Sequence, residues 1–367
     1  MAPGWQDHLV VFLVAFGVTV LLTPAARWLA FRVGAVVAPD ERRIHAVTTP
    51  TLGGAAILLG VLAALGAAWR LDAFRPVFDA PTQPIGIALA AVLIYAVGLA
   101  DDLRELSAPA KMAGIVLAGS VLSFAGVSLV TFRVPLFDVV ILSGDLSAVV
   151  TVVWVVLMAN AVNLIDGLDG LAAGIVAIAS AAFFFYTVEL TDESVLSVAN
   201  PGALIAVAAC GACLGFLPHN FHPARIFMGD GGALVLGLLM AASTISVGGQ
   251  SSESYFGQTF FFFAPLIIPL VILGVPVADM TFAIFRRARG RVSIATADKG
   301  HLHHRLMNLG HGQRRSVVIL WLWTALLSGA VLYPTYTGEG VLLTLFVIAA
   351  LVLLLFTIFH PRLRARA

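Results

Sequence analysis

The stretch Asn160-Ala161-Val162-Asn163-Leu164-Ile165-Asp166-Gly167-Leu168-Asp169-Gly170 lies between two apolar runs, one over 149–159 and one starting at Leu171. Its polar side chains Asn160, Asn163, Asp166 and Asp169 recur at every third position. On an α-helix each such step falls about 60° short of a full turn, so the spacing predicts that all of them share one side. A local tightening to a 3₁₀-helix would stack them more closely. Gly167 and Gly170 lower helix propensity and admit another backbone or a ligand. Carboxylates and amides at the edge of an apolar run are costly unless they bind something. A polar helix end with Asp caps is the plainer alternative. The spacing and the setting favour a site.

Of the 367 residues, 60% are hydrophobic and 11% are charged, and the mean hydropathy is +1.00. Runs of about 17–25 apolar residues can each cross a bilayer as a helix. Such runs fall at about 9–30, 52–69, 84–100, 111–130, 147–164, 171–190, 201–217, 232–248, 259–285, 316–334 and 340–359. The expected fold is all-α: a polytopic integral membrane protein with about eleven transmembrane helices in a single domain over 1–367. An odd number of spans puts the termini on opposite sides. Of the 21 Lys and Arg residues, only Arg70, Arg75 and Arg133 fall in one of the two alternating sets of loops. Positive charge stays inside, so the N-terminus is expected outside and the C-terminus in the cytoplasm.

The stretch before the first run has no basic region, so that run is expected to be a retained span rather than a cleaved signal. The net charge of +1 and the lack of a long basic tail give no reason to expect nucleic-acid binding. Cys210 and Cys213 lie in an apolar, small-residue run and are read as packing residues between helices. Pro135 and Gly144 with β-branched neighbours allow a small hairpin in the outer segment 131–146.

The same partition puts every dense polar cluster on the cytoplasmic side. An active site is expected there, built from loops at about 31–51, 101–110, 160–170, 218–231 and 286–315. Asp101 and Asp102 end the third run; neighbours on a helix point about 100° apart, so both serve one centre only where the helix finishes. Asp230 opens the eighth run within Met228-Gly-Asp-Gly-Gly232, where glycines permit close approach by phosphate. With Asp166 and Asp169, these carboxylates would repel one another. A divalent cation is the natural neutraliser, and hard oxygen donors point to Mg²⁺ with Mn²⁺ second. The expected metal ligands are Asp101, Asp102, Asp166, Asp169 and Asp230.

A basic ring surrounds them. Lys111 starts the fourth run, with phosphate binding and snorkelling to headgroups as equal readings. Arg42, Arg43 and His45 precede Gly53-Gly54. The last loop carries Asp298-Lys-Gly-His301-Leu-His303-His304-Arg305. Its histidines stand among cations without a nearby Cys, which suits an anionic ligand better than a metal. Carboxylate-held Mg²⁺ beside cationic side chains at a membrane surface suggests phosphoryl transfer.

Taken together and in order, Asp101-Asp102, the 160–170 stretch, Phe227-Met-Gly-Asp-Gly-Gly232 and Asp298-x-x-His-Leu-His-His304 resemble the polyprenyl-phosphate N-acetylhexosamine-1-phosphate transferases. The likeness runs from Pro39 to Arg315. The His-x-His-His run resembles the WecA/TagO branch rather than the MraY branch, which typically has three consecutive histidines there. The resemblance implies transfer of a sugar-1-phosphate, with N-acetylglucosamine-1-phosphate leading, from a UDP-N-acetylhexosamine to polyprenyl phosphate with release of UMP. It implies a multi-pass plasma-membrane enzyme in contact with lipid, and a homodimer is compatible with it. By motif, Asp101, Asp102 and Asp230 would be the metal and catalytic carboxylates, with Asp101 or Asp102 as base. Asn163, Asp166 and Asp169 would shape the nucleotide site. Lys111, Arg43, His45, His301, His303, His304 and Arg305 would contact phosphates or substrate. Gly231-Gly232 departs from a Ser or Thr often found there, and Arg43 from a Lys.

An MraY-like transfer of phospho-muramyl-pentapeptide is the alternative within the family. A CDP-alcohol phosphotransferase pattern begins at Asp166 but lacks its Arg and later Asp residues. A secondary transporter of an anionic solute would place charges inside the spans, where only Asp279 stands, and Asp279 is expected to pair with Arg286.

Overall fold

The computed structural model describes residues 3–37, 48–134, 138–248, 270, 273–289, 302–337 and 343–364. Arg43, His45 and His301, and the first part of the 259–285 run (259–269 and 271–272), lie outside these residues. For His303 and His304 the helix backbone alone is described.

The described chain is mostly helical, because a backbone in lipid must satisfy its own hydrogen bonds. Its helices are α1 (Trp5–Val33), α2 (Gly53–Trp69), α3 (Arg75–Phe78, after a 3₁₀ turn at Asp72–Phe74), α4 (Thr82–Arg104) and α5 (Ala108–Phe124). Then come α6 (Gly144–Ile165), α7 (Leu171–Asp192), α8 (Gly202–Asn220) and α9 (Gly229–Gly248). The last are α10 (Gly274–Arg289), α11 (Leu302–Asn308), α12 (Gln313–Thr337) and α13 (Leu343–Arg364). Two small antiparallel ribbons complete them, Val36–Val37 with Thr49–Pro50 and Thr131–Val134 with Asp138–Ile141. The second is the hairpin that Pro135 and Gly144 suggested.

Among the described residues, seven helices (α1, α4, α6, α7, α8, α9 and α12) are long and apolar enough to cross a membrane. An eighth span results if α2 and the segment to Phe78, bent by 92°, are taken together. This is a membrane protein. The count falls below eleven because α5 and the apolar part of α13 are short, and because 259–269 and 271–272 of the 259–285 run lie outside the described residues.

Helix α9 is the hub. Nearly all of its apolar window, 94%, is buried inside the protein, against 28% for the peripheral α1. It packs against α2, α4, α6, α7 and α8. Small residues permit these approaches, as in other membrane bundles. A Cβ built at Gly98 of α4 would meet the Gly231 backbone and lie 2.6 Å from the Asp230 carbonyl carbon. Gly54 of α2 likewise lies against the backbone of Gly232, and the N–H groups of Gly53 and Gly54 bond the carbonyls of Phe227 (3.0 Å) and Met228 (2.9 Å). The end of α4 and the start of α2 are thereby pressed onto the start of α9. A side chain at Gly232 would strike Gly54 and Met228.

Gly98→Ala should separate α4 from α9 and cost about 1–3 kcal/mol, as overpacking does. Thermal melting in detergent will show a lowered midpoint. Gly17→Ala, whose added methyl meets nothing within 4 Å, should leave it unchanged or raised.

Candidate active site

Three backbone breaks lie at the same end of the bundle. Helix α4 finishes past Asp101-Asp102, with Glu105 at φ 48° turning the chain into α5. Helix α6 stops at Ile165, and a turn over 166–170 leads into α7, with Gly170 at φ 76°. Helix α8 stops at Asn220, and a non-helical segment leads to α9. Gly170 adopts a backbone that an L side chain rarely takes. Its N–H bonds Asn220 Oδ1 (2.9 Å), while Asn220 Nδ2 donates to the Ile226 carbonyl (3.0 Å).

The break after Ile165 corrects the expectation of one continuous polar face. Asn160 and Asn163 remain helical, but Asp166 sits at the cap and Asp169 beyond it. The glycines let the chain turn, and the polar side chains diverge. Asn160 donates to its own helix at the Val156 carbonyl (2.8 Å). Asp169, buried, accepts from His222 Nδ1 (2.7 Å) and from the Ala224 N–H (3.0 Å). Asp169 thus organises the 219–226 segment, a link that sequence reasoning missed along with Asn220. Both partners lie in the run between His219 and Asp230, whose density of polar residues was the available signal.

The other side chains converge. Lys111 Nζ lies 2.9 Å from Asp101 Oδ2, makes a short contact to Asp230 Oδ2 and donates to Asn163 Oδ1 at 3.4 Å. Asn163 Nδ2 donates to Asp230 Oδ1 (2.8 Å). Asp101 Oδ1 accepts the Leu106 N–H (2.7 Å), which pins the turn between α4 and α5. The Asp102 oxygens accept the N–H groups of Asp230 (3.0 Å) and Gly231 (3.2 Å). Asp102 therefore caps the positive start of α9 and holds Asp230 in place.

Among the described residues, no three His, Cys, Asp or Glu side chains stand close enough to hold a metal by themselves. One oxygen each of Asp101 and Asp230 does converge on a single point, where the Lys111 ammonium stands as a cation. Mg²⁺ characteristically takes one or two carboxylates and completes its shell with water and substrate phosphate. The donor set fits such a shared ion and not a closed protein cage.

Burial pushes the half-buried Asp166 carboxyl up to about 8, and the charges of Asp230, Asp102 and Asp169 push the same way. A raised carboxyl contributes stability that is complete below its unfolded value near 4 and is lost as pH rises to about 8. In metal-free buffer the melting midpoint should fall from pH 5 to pH 8, and Asp166→Asn should flatten that decline. An unchanged slope in the variant would disprove the assignment.

The bundle and its polar end define a membrane-embedded protein with a carboxylate–lysine centre at the helix termini. A family model described as glycosyl transferase family 4 matches residues 84–248, which include this centre. The decaprenyl-phosphate N-acetylglucosaminephosphotransferase of Mycobacterium tuberculosis (strain ATCC 25618 / H37Rv) is 38% identical over 328 residues, 88% of this chain and 81% of the relative. That of Mycolicibacterium smegmatis is 38% identical over 328 residues, with the same coverage. A phospho-N-acetylmuramoyl-pentapeptide-transferase of Desulforudis audaxviator is 34% identical over 344 residues, 87% of this chain and 95% of the relative. The chain belongs to the polyprenyl-phosphate N-acetylhexosamine-1-phosphate transferases of glycosyl transferase family 4.

Proposed function

We propose that the protein transfers N-acetylglucosamine-1-phosphate from UDP-N-acetylglucosamine to a polyprenyl phosphate. The observation that carries this reading is the Lys111 ammonium held between Asp101 and Asp230 at the end of an apolar bundle. Such a place accepts a diphosphate and a cation together. The similarity to N-acetylglucosaminephosphotransferases at 38% identity, against 34% for the muramoyl-pentapeptide enzyme, supports the sugar.

An oxygen of the lipid phosphate attacks the sugar-bearing phosphorus, the bond from that phosphorus to the bridging oxygen breaks, and UMP departs with that oxygen. Asp101 and Asp230 are the side chains that would hold Mg²⁺, which supplies charge to offset the diphosphate. Lys111 turns its ammonium to the same phosphates. Asp102 keeps Asp230 fixed, and Asn163 orients it. Asp166 and Asp169 would shape the nucleotide side, Asp169 through the segment it holds at His222 and Ala224. Arg43, His45, His301, His303, His304 and Arg305 serve the phosphates from the two basic loops.

The reading includes eleven crossings with the N-terminus outside and the site facing the cytoplasm of the plasma membrane. The loop charges support it, as does the gathering of α1's end, α2's start and α4 around the small cluster of Ala30, Ala35, Leu52 and Leu99. A cysteine near Ser252, in a background free of Cys210 and Cys213, should react with an impermeant thiol reagent in intact cells. One near Gly300 should not, and the reverse pattern would overturn the orientation.

Purified protein with Mg²⁺, polyprenyl phosphate and UDP-N-acetylglucosamine should release UMP. Turnover with the UDP-muramyl-pentapeptide alone would place the protein in the other branch, and substrate movement without UMP would favour a transporter. Asp101→Asn and Asp230→Asn should each lower turnover by roughly 10²-fold or more, the scale of a lost major electrostatic contact. Asp192→Asn, at the far end of α7, should be neutral.

A further inference from the structure

Asp279 stands in the second turn of α10, and its side chain is 1% exposed. A carboxylate so placed needs strong donors. Its Oδ1 accepts the N–H of Leu302 at 2.8 Å. Leu302 is the first residue of α11, so the acceptor meets a helix start whose N–H groups lack partners within the helix. The negative charge also complements the positive end of that helix. The expected partner, Arg286, has a side chain outside the described atoms, and the bond to Leu302 spans 23 positions of sequence.

Helix α11 is tied down along its length. Leu306 is buried, and Leu302 and Met307 pack on the main core. At its far end the chain turns through Gly310 (φ 97°) and Gly312 (φ 70°) into α12. Arg314, just inside α12, donates from Nε to the His222 carbonyl (3.2 Å), and the His222 ring is bonded to Asp169. Helix α10 in turn packs on α6, which ends at the Asn163 and Asp166 of the acidic centre. One buried carboxylate therefore joins the helix beside α6 to the segment containing His303, His304 and Arg305.

We propose that Asp279 is a positioning residue for the transfer reaction, fixing where α11 begins and hence where the backbone bearing His303 and His304 is held relative to the acidic centre. The inference rests on the phosphotransferase reading for its kinetic part only. Asp279 touches neither substrate nor metal in this assignment. It acts through the backbone of Leu302, at whose next positions His303 and His304 stand. A displaced α11 would move those groups together, and displacements near 1 Å can cost about 10²-fold in rate.

The test compares Asp279→Ala, which removes the acceptor, with Asp279→Asn, which keeps an oxygen able to accept the same N–H. Hydrogen exchange on the full protein in detergent should show amides 302–308 exchanging at least about tenfold faster in the Ala variant, with α6–α9 unchanged, because a local clamp and not the fold is lost. UMP release should fall about 10–100-fold in kcat/KM for the nucleotide sugar, while the Asn variant stays near wild type. If Asp279→Ala fails to accumulate, Leu302→Pro replaces it: proline is tolerated at a first helical position and deletes the donor instead of the acceptor. Unchanged exchange over 302–308 would overturn the clamp. Accelerated exchange throughout α6–α9, or loosened 302–308 amides with undiminished UMP release, would overturn the positioning role. If wild type itself releases no UMP, the proposed function fails, and the exchange pattern still decides on the clamp.

Discussion

Carboxylates gathered at the end of an apolar bundle repel one another, and the bundle offers little water to weaken that repulsion. The fold answers with donors of several kinds. Lys111 brings a full charge to Asp101 and Asp230, Asn163 brings an amide, and the first N–H groups of α9 are taken by Asp102. Each donor comes from a different helix. The ends of α4, α5, α6 and α9 must therefore coincide for any of these carboxylates to be tolerated. The glycine contacts between α2, α4 and α9 are the steric side of the same requirement.

Much of this was legible in the sequence. The apolar runs mark the helices, and every run outside 259–285 falls on a described helix. Asp101, Asp102, Lys111 and Asp230 stand out by their positions at run ends and Asn163 by the three-residue spacing, and they meet in space. What periodicity could not provide was the direction of each side chain. A three-residue spacing cannot signal that the helix ends at Ile165, so Asp169 was given a place on a helical face that it does not have. Asn220 and His222 are hydrogen-bonded across long sequence gaps to Gly170 and Asp169, and local patterns do not report such partners. For Asp279 the pattern offered Arg286, whose side chain lies outside the described atoms, and could not signal the bond from the Leu302 N–H, since every residue except proline carries such a group.

The difference between the expected carboxylate cage and the observed pair of oxygens is also a matter of side-chain direction. Counting acids by sequence sums their charges, whereas coordination depends on free oxygen atoms. Asp102 spends both of its oxygens on backbone, and Asp169 engages His222 and Ala224. The remaining convergence, Asp101 with Asp230 about the Lys111 ammonium, would suit the shared Mg²⁺ of the proposed reaction better than a closed protein cage.

The lysine between these carboxylates also bears on the interval between reaction cycles. When product leaves and takes its phosphates with it, the anionic pocket is not stripped of positive charge, because an internal counterion is already covalently part of the chain. In the proposed reaction an arriving diphosphate would compete with Asp101 and Asp230 for that ammonium, so its binding and the release of the carboxylates would be a single exchange of partners. Lys111 thus cancels one of the two carboxylate charges of Asp101 and Asp230 before any metal or substrate binds. A lipid-embedded enzyme can in this way keep an acidic pocket at the membrane edge without unfolding it each time it turns over.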